Sequence, residues 1–320
     1  MPSMAGKQRT TERFIVRNPG NAICYSGYRE GQDPRQGIFP SYKEILEDLL
    51  ILDSHWSYLR LYDPSQHAET TLRVIRVEGL DLKVMLGVDL AAELSNPNCP
   101  WGADYSDETL AANRQSNSDD LHRLIALANQ YSDIVFSVSV GNEATVSWTD
   151  HLVPVDKLVS YSRRLKKAVA QPVTFCENYV PWTSKLAPLV AELDFISVHT
   201  YPVWEYRTIG DALEYTKQNY YSVVDHFPDK PVVITEAGWT TASNGRGIEP
   251  ENASEALQAR YCQQLMDWTQ VEGILTFVFE AFDEPWKGSP DPMEPEKHWG
   301  LFNVDRTPKQ FMQQLLTAST

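Results

Sequence analysis

Eight times along this chain a short apolar run gives way to an amphipathic stretch, and that alternation restricts the fold more than any other feature. The apolar runs fall at 22–25, 56–62, 83–88, 134–140, 173–176, 195–198, 231–234 and 274–279. Helical periodicity occupies 45–52, 71–78, 119–131, 156–169, 185–193, 211–227, 254–271 and 309–317. The first helix opens on a capping box, Ser41-Tyr42-Lys43-Glu44, and the second ends at Gly79. Continuously apolar strands are those of parallel sheets covered by helices. Eight repeats predict closure into a single (β/α)8 TIM barrel, and no G-x-G-x-x-G follows the first strand to suggest a dinucleotide fold. Segment 89–118, with Pro97, Pro100 and Trp101, reads as a long irregular connection. We therefore expect a polar tail over 1–18 and one catalytic domain over 19–320.

With 43 Asp and Glu against 28 Lys and Arg, the formal net charge is −15. Such a surface repels phosphate backbones and anionic headgroups, so neither a nucleic-acid nor a membrane partner is expected, and a neutral ligand suits it better. Cys24, Cys99, Cys176 and Cys262 are too widely spaced for a zinc knuckle or a disulfide framework. Cys24 and Cys176 lie in apolar runs and read as core residues. No signal-peptide pattern is visible, which leaves two readings: a secreted or periplasmic protein whose leader is missing from this chain, or an intracellular one. A monomer is expected.

In a barrel of this kind, functional residues sit where strands end at the carboxyl face. The fourth run ends in Gly141-Asn142-Glu143 and the seventh in Thr235-Glu236-Ala237-Gly238-Trp239. A carboxylate at the end of an apolar strand costs folding energy unless it is solvated or paired. Either glutamate alone fits a helix N-terminus answering the helix dipole. Together, at facing strand ends, they fit glycoside cleavage with retention, which needs two carboxyls about 5–5.5 Å apart. On that reading Glu143 is the acid/base, its pKa raised by Glu236 and partial burial, and Glu236 is the nucleophile. Tyr25, Arg60, Tyr62 and Tyr201 also fall at strand ends. Arg60 either orients a catalytic carboxylate or closes the barrel electrostatically. Seven tryptophans (Trp101, Trp148, Trp182, Trp204, Trp239, Trp286 and Trp299) fall in strand-to-helix connections or at strand ends, where flat apolar faces suit sugar rings; two or three of them should merely pack loops.

Asn142-Glu143 and the strand-seven glutamate resemble the large clan of retaining glycosidases that carry their catalytic residues there. Within it the chain resembles glycoside hydrolase family 17, the β-1,3-glucanases. The likeness runs through Val140-Gly141-Asn142-Glu143, Thr235-Glu236-Ala237-Gly238-Trp239, Phe282-Asp283-Glu284-Pro285-Trp286-Lys287 and Glu296-Lys297-His298-Trp299-Gly300-Leu301-Phe302. Tyr25-Ser26-Gly27-Tyr28-Arg29-Glu30-Gly31-Gln32 is similar to the first-strand segment of bacterial members. The resemblance implies an acid cluster of Glu284, Lys287 and Glu296, an Asn142 that binds the substrate 2-hydroxyl, and substrate contacts from Trp239 and Phe282. Thr240 after Trp239 and the extra acid Glu280 depart from plant members.

Among the seven histidines no H-x-H or H-E-x-x-H occurs and only His199 ends a strand, so neither a metal nor another cofactor is expected. The expected activity is endo-hydrolysis of β-1,3-glucan. A glucanosyltransferase with the same residues and a non-catalytic glucan-binding barrel are the alternatives.

Overall fold

The computed structural model describes residues 21–318; the polar segment 1–18 lies outside them. Eight parallel strands close into one barrel in chain order. They are β1 (Ala22–Cys24), β2 (Tyr58–Leu61), β3 (Lys83–Leu86), β4 (Val135–Asn142), β5 (Val173–Asn178), β6 (Ile196–Thr200), β7 (Val232–Gly238) and β8 (Thr276–Phe279). The helices outside are α1 (Tyr42–Leu52), α2 (Gln66–Glu78), α3 (Asp107–Gln130), α4 (Val155–Ala168), α5 (Tyr179–Trp182), α6 (Ala187–Val190), α7 (Ala212–His226), α8 (Glu255–Glu272) and α9 (Gln310–Ala318).

Local chemistry sets many of these boundaries. Ser41 and Glu44 form the reciprocal capping box that starts α1, and Gly79 takes the left-handed conformation (φ +67°) that ends α2. The fully buried apolar side chains of the strands, among them Ile23, Leu59, Val84, Val138, Val173, Ile196, Val233 and Phe277, form the core with Leu49, Leu72, Leu124, Leu165, Val223 and Leu265 of the helices. Among the described residues no helix is long and apolar enough to cross a membrane.

The structure departs from the hydropathy pattern in three ways. Strands β4 to β7 run two to four residues past their apolar stretches, through Asn142, Asn178, Thr200 and Gly238. The ladder hydrogen bonds continue where the side chains turn polar, so Asn142, Glu177, His199 and Glu236 lie within strand ends and Glu143 directly after one. Helix α3 begins at Asp107, not 119, because Ser106 caps it and Asp107 and Glu108 suit its first turn. Its first turns are mostly exposed and carry no apolar period to read. The helix expected over 185–193 shrinks to the single turn α6, with Pro188 near its start.

Candidate active site

Glu236 lies within β7 and is 5% exposed. A carboxylate so buried must be met by donors, and four groups face it, two from β2 and β6 and two from the residues that directly follow them. Arg60 of β2 pairs with Oε1, and the Tyr62 hydroxyl donates to the same oxygen at 3.0 Å. The Tyr201 hydroxyl donates to Oε2 at 2.5 Å, and His199 Nδ1 lies 3.4 Å from that oxygen. Burial alone would push the Glu236 pKa up. The charges of His199 and Arg60 outweigh it, aided by the Tyr201 and Arg60 hydrogen bonds, and bring it to about 2. Glu236 is therefore held as an anion.

Glu143 follows β4 directly, with its backbone N–H bonded to the Cys176 carbonyl of β5 at 2.9 Å. Its φ of +43° places it in the left-handed region, which costs a side-chain-bearing residue about 1–2 kcal/mol. The turn aims its half-buried carboxyl at His199, whose Nδ1 lies 2.8 Å from Glu143 Oε1. Strand register sets His199 beside Glu236 on the neighbouring strand. His199 is fully buried, which would lower its pKa, but the Glu236 charge and hydrogen bonds to Cys176 and Glu143 raise it to about 10. It is thus an imidazolium wedged between two glutamates. Beside it burial pushes the Cys176 thiol up, yet Arg60 and His199 bring it down to about 7.

One oxygen of Glu143, Nδ1 of His199 and one oxygen of Glu236 lie within 4.8 Å of one another. That spacing would suit a cation, yet Arg60 already occupies the Glu236 carboxylate, and a protonated imidazole offers no lone pair. The donor set fits a proton-sharing network better than a metal centre.

Arg60 forks between Glu236 through Nη1 and the Asn142 amide oxygen through Nη2. Of the two roles weighed for it, orienting a carboxylate matches this geometry; at 2% exposure it has no surface for a ligand. The half-buried Asn142 keeps its NH2 group without a hydrogen-bond partner among the described residues. On the opposite wall Lys287 bonds both Glu280 (2.9 Å to Oε2) and Glu284. Glu284 also accepts from Ser26 Oγ at 2.5 Å and Trp286 Nε1 at 3.0 Å. Burial and the Glu284 charge push Glu280 well above the carboxylate range, so Glu280 carries the proton and Glu284 the charge. Burial likewise raises half-buried Glu296, with Lys287 opposing.

Three expected substrate contacts sit elsewhere. Tyr25 is 1% exposed and donates to the buried Asp48 at 3.1 Å. Phe282, also 1% exposed, lies beneath the Arg306 guanidinium. Trp239 has no exposed surface; it packs on Tyr261 and donates its indole N–H to the Asn252 carbonyl at 2.8 Å. All three lie just beyond the ends of β1, β7 and β8, where each packs against the scaffold rather than the cleft. Trp182 and Trp299 are buried as well, and Trp299 packs edgewise against Tyr201, the Glu236 donor. Trp101 and Trp148 are exposed, and Trp204 and Trp286 half-buried.

His199 and Glu177 were missed as site residues. The signal for His199 was present: His199 and Tyr201 stand two apart at the end of an apolar run, which puts them on one face.

The family model of the BtgE/BtgC glycoside hydrolase domain matches residues 22–300. The chain belongs to that family. A putative glucan endo-1,3-beta-glucosidase btgC of Aspergillus niger is 27% identical over 293 residues, which cover 84% of this chain and 40% of the relative. The chain thus spans well under half the length of that relative. A glucan 1,3-beta-glucosidase of Arthroderma benhamiae is 22% identical, with 88% of both chains covered. Among solved structures, an endo-laminarinase from Formosa Hel1_33_131 matches with TM-score 0.81 and 25% identity, covering 96% of this chain and 89% of that one. A family 17 β-1,3-glucanosyltransferase from Rhizomucor miehei shares the fold at TM-score 0.70 and 22% identity, over 91% and 96% of the two chains. The BtgE/BtgC domain here therefore carries its two facing glutamates on the barrel its relatives share.

Proposed function

We propose that this chain is a retaining endo-hydrolase of β-1,3-glucan, with Glu236 as nucleophile and Glu143 as acid/base. The observation that carries this reading is the separation of the two carboxyls. Oxygens within 4.8 Å leave no room for the water that inversion places between groups about 6.5–9.5 Å apart. Ionised Glu236 attacks the anomeric carbon while Glu143 gives its proton to the departing glycosidic oxygen. The glycosyl ester on Glu236 is then cleaved by a water whose proton Glu143 takes back. Arg60, Tyr62 and Tyr201 hold the nucleophile in one orientation, and the Asn142 NH2 group faces the position of a sugar hydroxyl beside it.

The β-1,3 linkage is taken from the printed names of the relatives, and family 17 from the four matching segments together with the Rhizomucor miehei fold. Kinship to bacterial members rests on Tyr25 to Gln32, whereas the curated relatives given above are fungal. A monomer acting outside the cytoplasm suits a neutral polysaccharide substrate. The chain is assigned one catalytic domain over 19–320 after a tail over 1–18.

Incubation with laminarin and laminari-oligosaccharides should release shorter sugars from internal positions, and Glu236→Gln should lower kcat by about 10³-fold or more. Full turnover by Glu236→Gln would overturn the assignment of Glu236 as nucleophile. Products longer than the substrate at early times would move the chain to the glucanosyltransferases.

A further inference from the structure

Beneath Glu143 lies a third glutamate that the double-displacement scheme leaves without a task. Glu177, on β5, has no exposed surface. Its Oε2 accepts the Thr145 backbone N–H at 2.9 Å and the Thr145 hydroxyl at 2.7 Å, and its Oε1 accepts the Asn178 N–H at 2.7 Å. Among the described residues no ammonium or guanidinium touches it. A buried carboxylate without a counter-ion is costly, so a chain that keeps one there needs a return for it.

The titratable groups that face it narrow that return. From the end of β4 comes Glu143, whose charge opposes that of Glu177; from β6 comes the His199 imidazolium, which supports it. From the connection after α5, Lys185 reaches the Thr145 carbonyl, gripping the same residue from its other side. Burial and the Glu143 charge push the Glu177 pKa up to about 7, against the Thr145 and Asn178 hydrogen bonds.

We propose that Glu177 is a positioning residue for the general acid: it clamps Thr145, two residues beyond Glu143, and its charge keeps a proton within the Glu143–Glu177 pair. The clamp fixes the left-handed turn at Glu143. The charge acts because removing a proton from one carboxyl is harder while the other is ionised. This rests on the reading of Glu143 as the acid.

The test uses the whole chain and two substrates, a laminari-oligosaccharide and an aryl β-laminaribioside whose dinitrophenolate leaves without protonation. In Glu177→Gln the basic limb of kcat/KM on the oligosaccharide should move toward acid by about half a pH unit or more, since a like charge is gone. Its kcat/KM on the oligosaccharide should fall about 10-fold or more, while kcat/KM for the aryl substrate stays within about twofold of the parent value. A residue that only supports the fold would slow both substrates alike and leave the limb in place. Thr145→Val keeps the carboxylate and removes one donor; it should show the same leaving-group dependence at a smaller factor, and it carries the test if Glu177→Gln does not fold. Glu143→Gln is the control. If it shows leaving-group dependence while Glu177→Gln and Thr145→Val slow both substrates equally, the proposal falls alone. If Glu143→Gln shows none, the reading of Glu143 as acid falls and takes the proposal with it.

Discussion

At the residue scale, the account depends on how Glu236 is kept charged. The Tyr201 hydroxyl bonds the ionised form at 2.5 Å, and a hydrogen bond to the charged form lowers a pKa. Tyr201→Phe should therefore move the acid limb of kcat/KM to higher pH, with kcat reduced about 10-fold; a limb that stays in place would argue that Tyr201 contacts only substrate. The same groups tie stability to pH with opposite signs. Glu236 falls from 4.5 to about 2 on folding, so its contribution is complete above 4.5 and is lost as pH drops toward 2. His199 rises from 6.5 to about 10, so its contribution is complete below 6.5 and disappears as pH climbs through 10. His199→Asn should flatten the fall in melting temperature between about pH 6.5 and 10, read by calorimetry. Glu143 and Glu236 were legible in the sequence because an acid that stops an apolar run stands out. Glu177 was not, because Asn178 and Tyr179 follow it into what reads as a loop, and a glutamate there looks solvated. Tyr25, Trp239 and Phe282 were misjudged for a related reason: a motif locates a strand end but not whether the side chains just beyond it pack inward or face the cleft.

At the scale of elements, close approach between β7 and β8 shapes the rim of the site. A Cβ on Gly238 would lie 2.1 Å from the Phe279 carbonyl oxygen, so only glycine lets the two strand ends meet there. Gly238→Ala should cost about 1–3 kcal/mol or more by denaturant unfolding and should also slow catalysis, because Glu236 is two residues away on the same strand. Cap chemistry was easier to read than strand ends. The Ser41 box and Gly79 were visible as local patterns, whereas the polar final residues of β4 to β7 carry no apolar signal although the ladder includes them. Helix α3 shows the same limit from the other side: its exposed first turns lack the period that would reveal them.

At the scale of the molecule, eight alternations were enough to give the closed barrel, because parallel strands with helices on one side have few other ways to bury both faces. Closure brings Arg60, Glu143, His199 and Glu236 together from β2, the end of β4, β6 and β7. On the rim, Trp101 (60% exposed) and Trp148 (42% exposed) stand in connections tied together by the Cys99 thiol on the Trp148 carbonyl at 3.0 Å. Sugar stacking there, at about 1 kcal/mol per ring, predicts that replacing both with alanine raises KM for long laminarin about 30-fold, with little change for short oligosaccharides. The central claim is double displacement by two glutamates. Its most direct test is the anomeric form of the first sugar released from laminarin, followed by proton NMR before mutarotation. The account predicts the β-anomer; initial release of the α-anomer would contradict it.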